Sequence, residues 1–573
     1  MRKRILYAEA NYAAIVLKNG YFVDKTEYIA KLENVENPVF LRPRRFGKSL
    51  LCTMLEYYYS VLYKDQFDTL FGHTWIGKHP TRLHNSLMVL HLDFSTVETG
   101  DMAIMERSFN STVNLELENL IQDHGDFFKK KITIHHDHSA SENFKQVVKS
   151  IAPKKSAGLY VIIDEYDNFA NQLITGHKDH LYKKLMADEG FLKTFFKQLK
   201  EGRKSGAIRN VFITGVLPVT MDELASGFNI ATFITLNPTF ENMLGFTQME
   251  VDTLIDEIYR DYGFDTATRS QTDALIKSNY NGYHFVNHDG EALYNSTILI
   301  YFLNYFTEHG AYPRHLTDLN MRTDLMWVKR LTGSNAELTN EFVEQLITQN
   351  SIAFDDVMLT HKFNLSRFFE KDFFPVSFFY LGMLTRRDDF TLKLPNLNMR
   401  RIFVEYFNEL NHIDISTRYA DIMHGFVVSL DLKDLFAGYW KEYVSQLPEA
   451  VFAQVNENFY RTTFFELCSR YLSRWFVWNL ERSYPSGRTD LEFVGKFNEC
   501  FADTRMVIEF KYFSNAEFRK FKCAINDFML RDDDVEQIEG YVKGLKTEYP
   551  EAKISKHVIY CFGNIGYKVF DVE

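Results

Sequence analysis

Two short groups of residues have the types and spacing to do phosphate chemistry. The first is Gly47-Lys48-Ser49. It is preceded by an apolar triplet, Val39-Phe40-Leu41, and a basic turn, and followed by Leu50, Leu51, Met54, Leu55 and Tyr58 at helical spacing. Strand, turn, Gly-Lys-Ser and helix make a phosphate-binding loop. Backbone N–H groups and the helix N-terminus face the phosphates, Lys48 reaches the terminal ones, and the Ser49 hydroxyl holds Mg²⁺. In G-x-x-x-x-G-K-[ST] the first glycine would fall where this chain has Arg42. Taken alone, a Gly-Lys-Ser is as compatible with an ordinary turn. The second group is Asp490 with Glu509-Phe510-Lys511. Side chains alternate along a strand, so Glu509 and Lys511 share a face, and pairing with the strand after Asp490 would bring Asp490 beside Glu509. Two such carboxylates bind a divalent ion, while Lys511 stabilises charge or lowers the pKa of an attacking water. Glu-x-Lys by itself on an exposed strand is an everyday surface ion pair.

Other elements must position these groups. Leu159-Tyr160-Val161-Ile162-Ile163 is an apolar run ending in Asp164-Glu165, the form of a second nucleotide motif. A buried strand would carry Asp164 to the sheet edge beside the loop, to hold the Mg²⁺ shell, with Glu165 placed to polarise the attacking water. Asn210 to Gly215 reads as a third buried strand whose Thr214 is a candidate γ-phosphate sensor, and Leu87 to Phe94 as another strand buried on both faces. Strands separated by helical stretches predict a parallel α/β sheet with the nucleotide at its carboxyl edge. From about 236 to 450 amphipathic helical patterns dominate, as in Val251 to Tyr259 and Leu293 to Leu303. This region reads as a helical lid or spacer. Strand patterns return after 450, giving three regions: 1–235, 236–450 and 451–573.

Bulk properties narrow the classes. A chain of 573 residues has room for about two to four domains. Its 46% apolar and 25% charged residues are those of an ordinary globular protein. The 52 Phe and 32 Tyr are spread along the chain and read as core filling. A net charge of −11 excludes a polycation, so any nucleic-acid surface is a local basic patch. Five scattered cysteines contain no C-x-x-C pair, which suits a reducing compartment and offers no zinc site of that kind. His135-His136-Asp137-His138 and Lys129-Lys130-Lys131 read as solvated segments. Neither a signal peptide nor an 18-residue apolar run is evident, so a cytoplasmic protein without a membrane span is expected.

The Asp490…Glu509-x-Lys511 arrangement, with the Gly487-Arg488 turn and the Val507-Ile508-Glu509-Phe510-Lys511 strand, resembles the metal-dependent phosphodiesterase site of the PD-(D/E)xK nuclease superfamily. The resemblance adds Glu466, on an expected helix from Phe464 to Trp478, as the first-helix acid. It adds Gln537, in Glu536-Gln537-Ile538-Glu539-Gly540-Tyr541, as the glutamine that follows the core strands. Over nearly its full length the chain resembles a bacterial family that joins an AAA-ATPase-like domain to such a nuclease domain. The matching stretches include YFVDKT (21–26), RPRRFGKSL (42–50), VIIDEYDN (161–168), FITGV (212–216), YNGYHF (280–285), LGMLT (381–385), LKLPN (392–396) and GRTDL (487–491). In that family an arginine in place of the first glycine is usual. Leu293-Tyr294-Asn295-Ser296-Thr297 departs from the Asn-Pro-Ser expected there. The resemblance implies ATP and Mg²⁺, with Mn²⁺ an option at the nuclease site, and carries over Lys48, Ser49, Asp164 and Glu165 for nucleotide. Arg42, Phe46, Gly47 and Leu50 are cofactor-binding candidates as parts of the same loop, and so are Arg44 and Arg45, for which phosphate in cis, a neighbouring subunit and solvation of the turn all stay open. The resemblance also implies a nucleic-acid substrate bound through its backbone, DNA rather than RNA because the superfamily mostly cuts DNA. Defence against foreign DNA and activity linked to mobile elements are the two roles it suggests, and a homo-oligomer stays open. The competing reading is a nucleotide-dependent switch or binding module that cuts nothing.

Overall fold

The computed structural model describes residues 2–129, 131–151, 158–176, 178–185, 190–218, 228–317, 336–360, 370–415 and 418–573. Lys130 of the lysine tract and parts of the helical middle region lie outside the described residues.

Five parallel strands form the first sheet, in the order β2 (Met88–Asp93), β3 (Leu159–Asp164), β4 (Ile208–Gly215), β1 (Pro38–Leu41) and β5 (Thr232–Phe233). Every residue of β1 and β3 is buried, as expected for strands covered by helices on both faces. Those helices include Lys48–Tyr59, Met102–Asp123, Ala140–Ser150 and Phe191–Lys204. Because β1, β3 and β4 run side by side in one direction, the turn after β1, Asp164 and Thr214 all meet the same sheet edge.

The middle region is mainly helical, with a small antiparallel sheet of β6 (Ile352–Ala353), β8 (Thr391–Lys393) and β7 (Thr385–Arg386). It is packed into its neighbours on both sides. Buried apolar side chains form one continuous cluster through all three regions, from Ile5 to Cys561.

The C-terminal region begins with the helix Glu457–Leu472, N-capped by Asn456. A five-stranded sheet follows, in the order β15 (Gly566–Val572), β14 (Lys553–Phe562), β13 (Thr504–Phe513), β12 (Leu491–Gly495) and β9 (Phe476–Leu480). A two-stranded hairpin, β10 (Ser483–Tyr484) and β11 (Gly487–Arg488), leads into β12. The helix expected from Phe464 to Trp478 therefore starts earlier and stops at Leu472, with Trp478 in the middle of β9. Among the described residues no helix is long and apolar enough to cross a membrane. The histidine tract converges on no ion site among them, and His136 pairs with Glu118 at 2.9 Å.

Candidate functional site

The turn after β1 closes on Gly47, whose φ of +93° caps the Lys48–Tyr59 helix in a conformation a side chain rarely adopts. Lys48 is buried and donates from Nζ to the carbonyls of Arg42 and Pro43, each at 3.0 Å. Burial lowers its pKa, with Asp164, Glu165 and Asp167 opposing that shift. Ser49 hydrogen-bonds the Asp164 carboxylate, whose pKa burial raises. Glu165 follows with a φ of +51° and donates its N–H to Asp164 Oδ1 at 2.9 Å. Arg44, Arg45, Phe46, Gly47, Lys48, Ser49, Leu50 and Glu165 all line one cavity of about 400 Å³. Its far wall is apolar and includes Leu6, Ile15, Tyr21, Phe22 and Val23. The cavity thus joins a cradle of phosphate-binding type to a wall that suits a flat apolar ring.

Arg42 stands apart from this cavity, which corrects its expected role. Its guanidinium is fully buried between the rings of Phe40 and Phe285, 4.4 Å from each centroid. It donates to the carbonyls of Leu41 (3.1 Å), Thr235 (2.9 Å) and Glu241 (3.1 Å). Burial lowers its pKa to about 9. Its side chain is a strut that fixes the start of the loop. Thr214 is likewise committed, its buried hydroxyl donating to Phe40 O at 2.8 Å within the sheet.

Contacts on the loop come from three distant segments. Thr297 donates its N–H to Arg45 O at 3.0 Å, and Asn295 Nδ2 donates to Arg44 O at 3.4 Å. Asn295 caps the helix Ser296–His309, so the stretch that departs from the expected Asn-Pro-Ser holds the loop from outside. Phe46 packs edge-on against Tyr283 and Phe285, at 5.1 and 5.4 Å. Gly382, at φ +78°, lies so close that an added Cβ would stand 2.5 Å from Pro43 Cβ. Two of the matching middle-region stretches, 280–285 and 381–385, therefore seat the loop.

The C-terminal group assembles as the strand geometry requires. β12 pairs antiparallel with β13 in the register Leu491↔Ile508, so Asp490 falls at the level of Glu509. Phe510 donates its N–H to Asp490 Oδ2 at 2.8 Å. Glu509 Oε1 accepts from Lys511 Nζ (3.0 Å) and from Gln537 Nε2 (2.6 Å). Gln537, on the helix Asp532–Glu548, also accepts from Lys511 Nζ at 2.9 Å, closing a triangle. Glu509 Oε2 is buried and has no hydrogen-bond partner among the described residues. Burial, with Asp490 beside it, pushes the Glu509 carboxyl up to about 8.

Glu466 is not in this group. It is fully buried about 13 Å further along its helix than Glu457. There it accepts from Arg470 (2.6 Å) among the charges of Glu405 and Arg401. The acid that the helix does bring to the site is Glu457, in its first turn, which sequence reasoning missed. Burial and Asp490 push its carboxyl up to about 7, against the pull of Lys511 and Arg461. Arg461, one turn further on, donates to Asp490 Oδ1 at 2.6 Å and to Glu481 Oε1 at 2.9 Å. The orphaned Glu509 oxygen beside Asp490 is a donor set that suits a divalent cation, and Glu457 adds a third negative charge nearby.

Comparison with known proteins agrees with this geometry. Residues 7–225 match the model of a predicted AAA-ATPase family, and residues 455–570 match that of the PD-(D/E)XK nuclease superfamily. The chain thus carries an AAA-ATPase-like domain and a C-terminal domain of the PD-(D/E)XK nuclease superfamily, as the sequence resemblance implied. No curated protein matches it. Among solved structures, a chain of Drosophila ORC bound to poly(dA/dT) DNA and Cdc6 aligns at 12% identity, with a TM-score of 0.25. That alignment covers 81% of this chain and 63% of the other, so this chain spans under two thirds of that one's length.

Proposed function

We propose that the protein is an ATP-controlled, metal-dependent nuclease acting on nucleic-acid phosphodiesters, DNA above all. The observation that carries the reading is the closed triangle of Glu509, Lys511 and Gln537 beside Asp490 and Glu457, with Glu509 Oε2 buried and unpartnered among the described residues. A divalent ion in this group would supply charge neutralisation and an activated water. Asp490, Glu509 and Glu457 would hold it, and Lys511, steadied by Gln537, would face the developing negative charge on the phosphate. Without a base-reading module, binding would be led by the backbone and weaken steeply with salt.

In the N-terminal domain Lys48, Ser49 and Asp164 would hold ATP with Mg²⁺, with Arg44 or Arg45 reaching the phosphates and the apolar wall taking the base. Glu165 would orient the attacking water. Control over cleavage has a continuous physical route. Phe46 and Pro43 pack on 282–285 and Gly382. Asn396 and Asn398 donate to the carbonyls of Asn281 and Asn279 at 3.0 and 2.9 Å. Arg400, on the same helix as Asn398, pairs with Glu481 (3.0 Å), which pairs with Arg461 and so with Asp490. Coupling also requires two states that ATP distinguishes.

One observation favours the second reading, a switch that binds without cutting: Arg461 already neutralises Asp490. Metal-dependent plasmid cleavage decides between them. Wild type is expected to cut and Lys511→Ala and Asp490→Ala to fall by about 100-fold or more; equal rates for all three would end the nuclease reading. Lys48→Ala should abolish ATP binding, and cleavage indifferent to ATP would leave the first domain a scaffold.

A further inference from the structure

We propose that Cys52, His91 and Asp164 form a second metal site, for an ion of the zinc class, directly beneath the phosphate loop. The three offer a thiol sulfur, an imidazole nitrogen and a carboxylate oxygen, all within 4.8 Å of one another. They come from three elements: Cys52 one turn into the Lys48–Tyr59 helix, His91 on β2 and Asp164 at the end of the neighbouring β3. A tetrahedral zinc ion holds such donors about 3.3 to 3.7 Å apart, so the group closes with small side-chain shifts.

The imidazole is already oriented for coordination. His91 Nδ1 lies 2.8 Å from Glu56 Oε2, and Glu56 sits one turn beyond Cys52 on the same helix. That carboxylate–histidine pair fixes Nδ1 as the protonated nitrogen and turns the Nε2 lone pair toward a metal. Nε2 is buried and has no hydrogen-bond partner among the described residues. Cys52 is free and fully buried. A sulfur, nitrogen and oxygen set selects zinc over magnesium, which prefers oxygen alone. On binding, the Cys52 thiol releases its proton, and the protein supplies three of the four tetrahedral positions.

The site itself stands apart from the proposed function; its consequence rests on it. Asp164 cannot serve this ion and the Mg²⁺ of a bound nucleotide with the same oxygen, so zinc and Mg-ATP would oppose each other. The test uses the metal-free full-length protein carrying Asp490→Asn and Glu509→Gln, titrated with Co²⁺ alone. One equivalent should produce the near-ultraviolet thiolate-to-cobalt band. The band should vanish in Cys52→Ser and in His91→Gln, persist in Cys500→Ser, Cys523→Ser and Lys48→Ala, and be bleached by Zn²⁺. No band in the parent protein, or a band surviving in both ligand variants, overturns the site. In parallel, stoichiometric Zn²⁺ should weaken Mg-ATP binding by about tenfold in the parent but not in Cys52→Ser. If ATP fails to bind at all, the nucleotide reading falls while the cobalt band still reports on the metal site.

Discussion

Arg461 Nη1 stands 2.6 Å from Asp490 Oδ1, with both side chains buried. The pair places a fixed cation where a divalent ion would draw charge from the same carboxylate. Removing one member of a buried pair costs about 3 to 5 kcal/mol, because the other is left charged and dry. Arg461→Ala should therefore destabilise the metal-free protein by that order and gain more from Mn²⁺ than wild type does. Thermal unfolding with and without Mn²⁺ measures this; an equal or smaller metal-induced rise in the variant would mean that Arg461 and the ion do not share Asp490.

Glu457 and Glu466 lie on one helix and make opposite predictions. Glu457→Gln should lower metal-dependent cleavage by about 100-fold with little change in stability. Glu466→Gln breaks a buried pair with Arg470, so it should lower the unfolding temperature and leave metal affinity within about twofold of wild type. Metal titration of both variants decides; weakened metal binding in Glu466→Gln alone would reverse the assignment.

Acid crowding sets a pH dependence whose sign follows from proton counting. The Glu509 and Glu457 carboxyls stand at about 8 and about 7, above their ordinary 4.5. Between those values the folded state holds more protons than the unfolded one. The stabilisation is fully present below about pH 4.5 and is lost as pH rises through 7 to 8, by up to about 1.4 kcal/mol per pH unit for each proton. In EDTA the denaturation midpoint should fall from pH 5 to pH 8, less so in Glu509→Gln. Metal affinity should rise over the same interval, since the ion displaces those protons. A flat profile in wild type would contradict the crowding.

Gly382 tests the seat of the phosphate loop. A Cβ there meets Pro43, and the residue's φ of +78° is costly for alanine. Gly382→Ala should weaken ATP binding by about tenfold although the residue lines no part of the cavity. Unaltered ATP affinity in a folded variant would show that the loop does not depend on this contact.

What could be read in the sequence was local. The Gly-Lys-Ser turn, the apolar run into Asp164 and the alternation of Glu509 with Lys511 each depend on neighbours along the chain, and each lies where the spacing implied. Arg42 was misjudged because its partners, Thr235 and Glu241, are nearly 200 positions away. Glu457 was missed for a different reason. Its helix is buried on nearly every side from Phe459 to Ser469, so it carries no amphipathic stripe to mark its start. The run Phe476-Val477-Trp478 then fits a helix or a strand equally well. Asn295 and Thr297 grip the loop through space, and nothing in their local sequence signals it.

Arg42 has a consequence for anyone redesigning this loop. Restoring the glycine of the common motif at position 42 would not improve the cradle; it would remove the beam that ties the loop's first residue to the Thr235–Glu241 segment. With that beam in place, the front of the cradle is tied to the entry of the helical region by buried hydrogen bonds. The Lys48 ammonium gives two of its three donors to the Arg42 and Pro43 carbonyls, so the lysine is held at the same joint. The arginine that makes the motif hard to spot is also what anchors the loop's first residue.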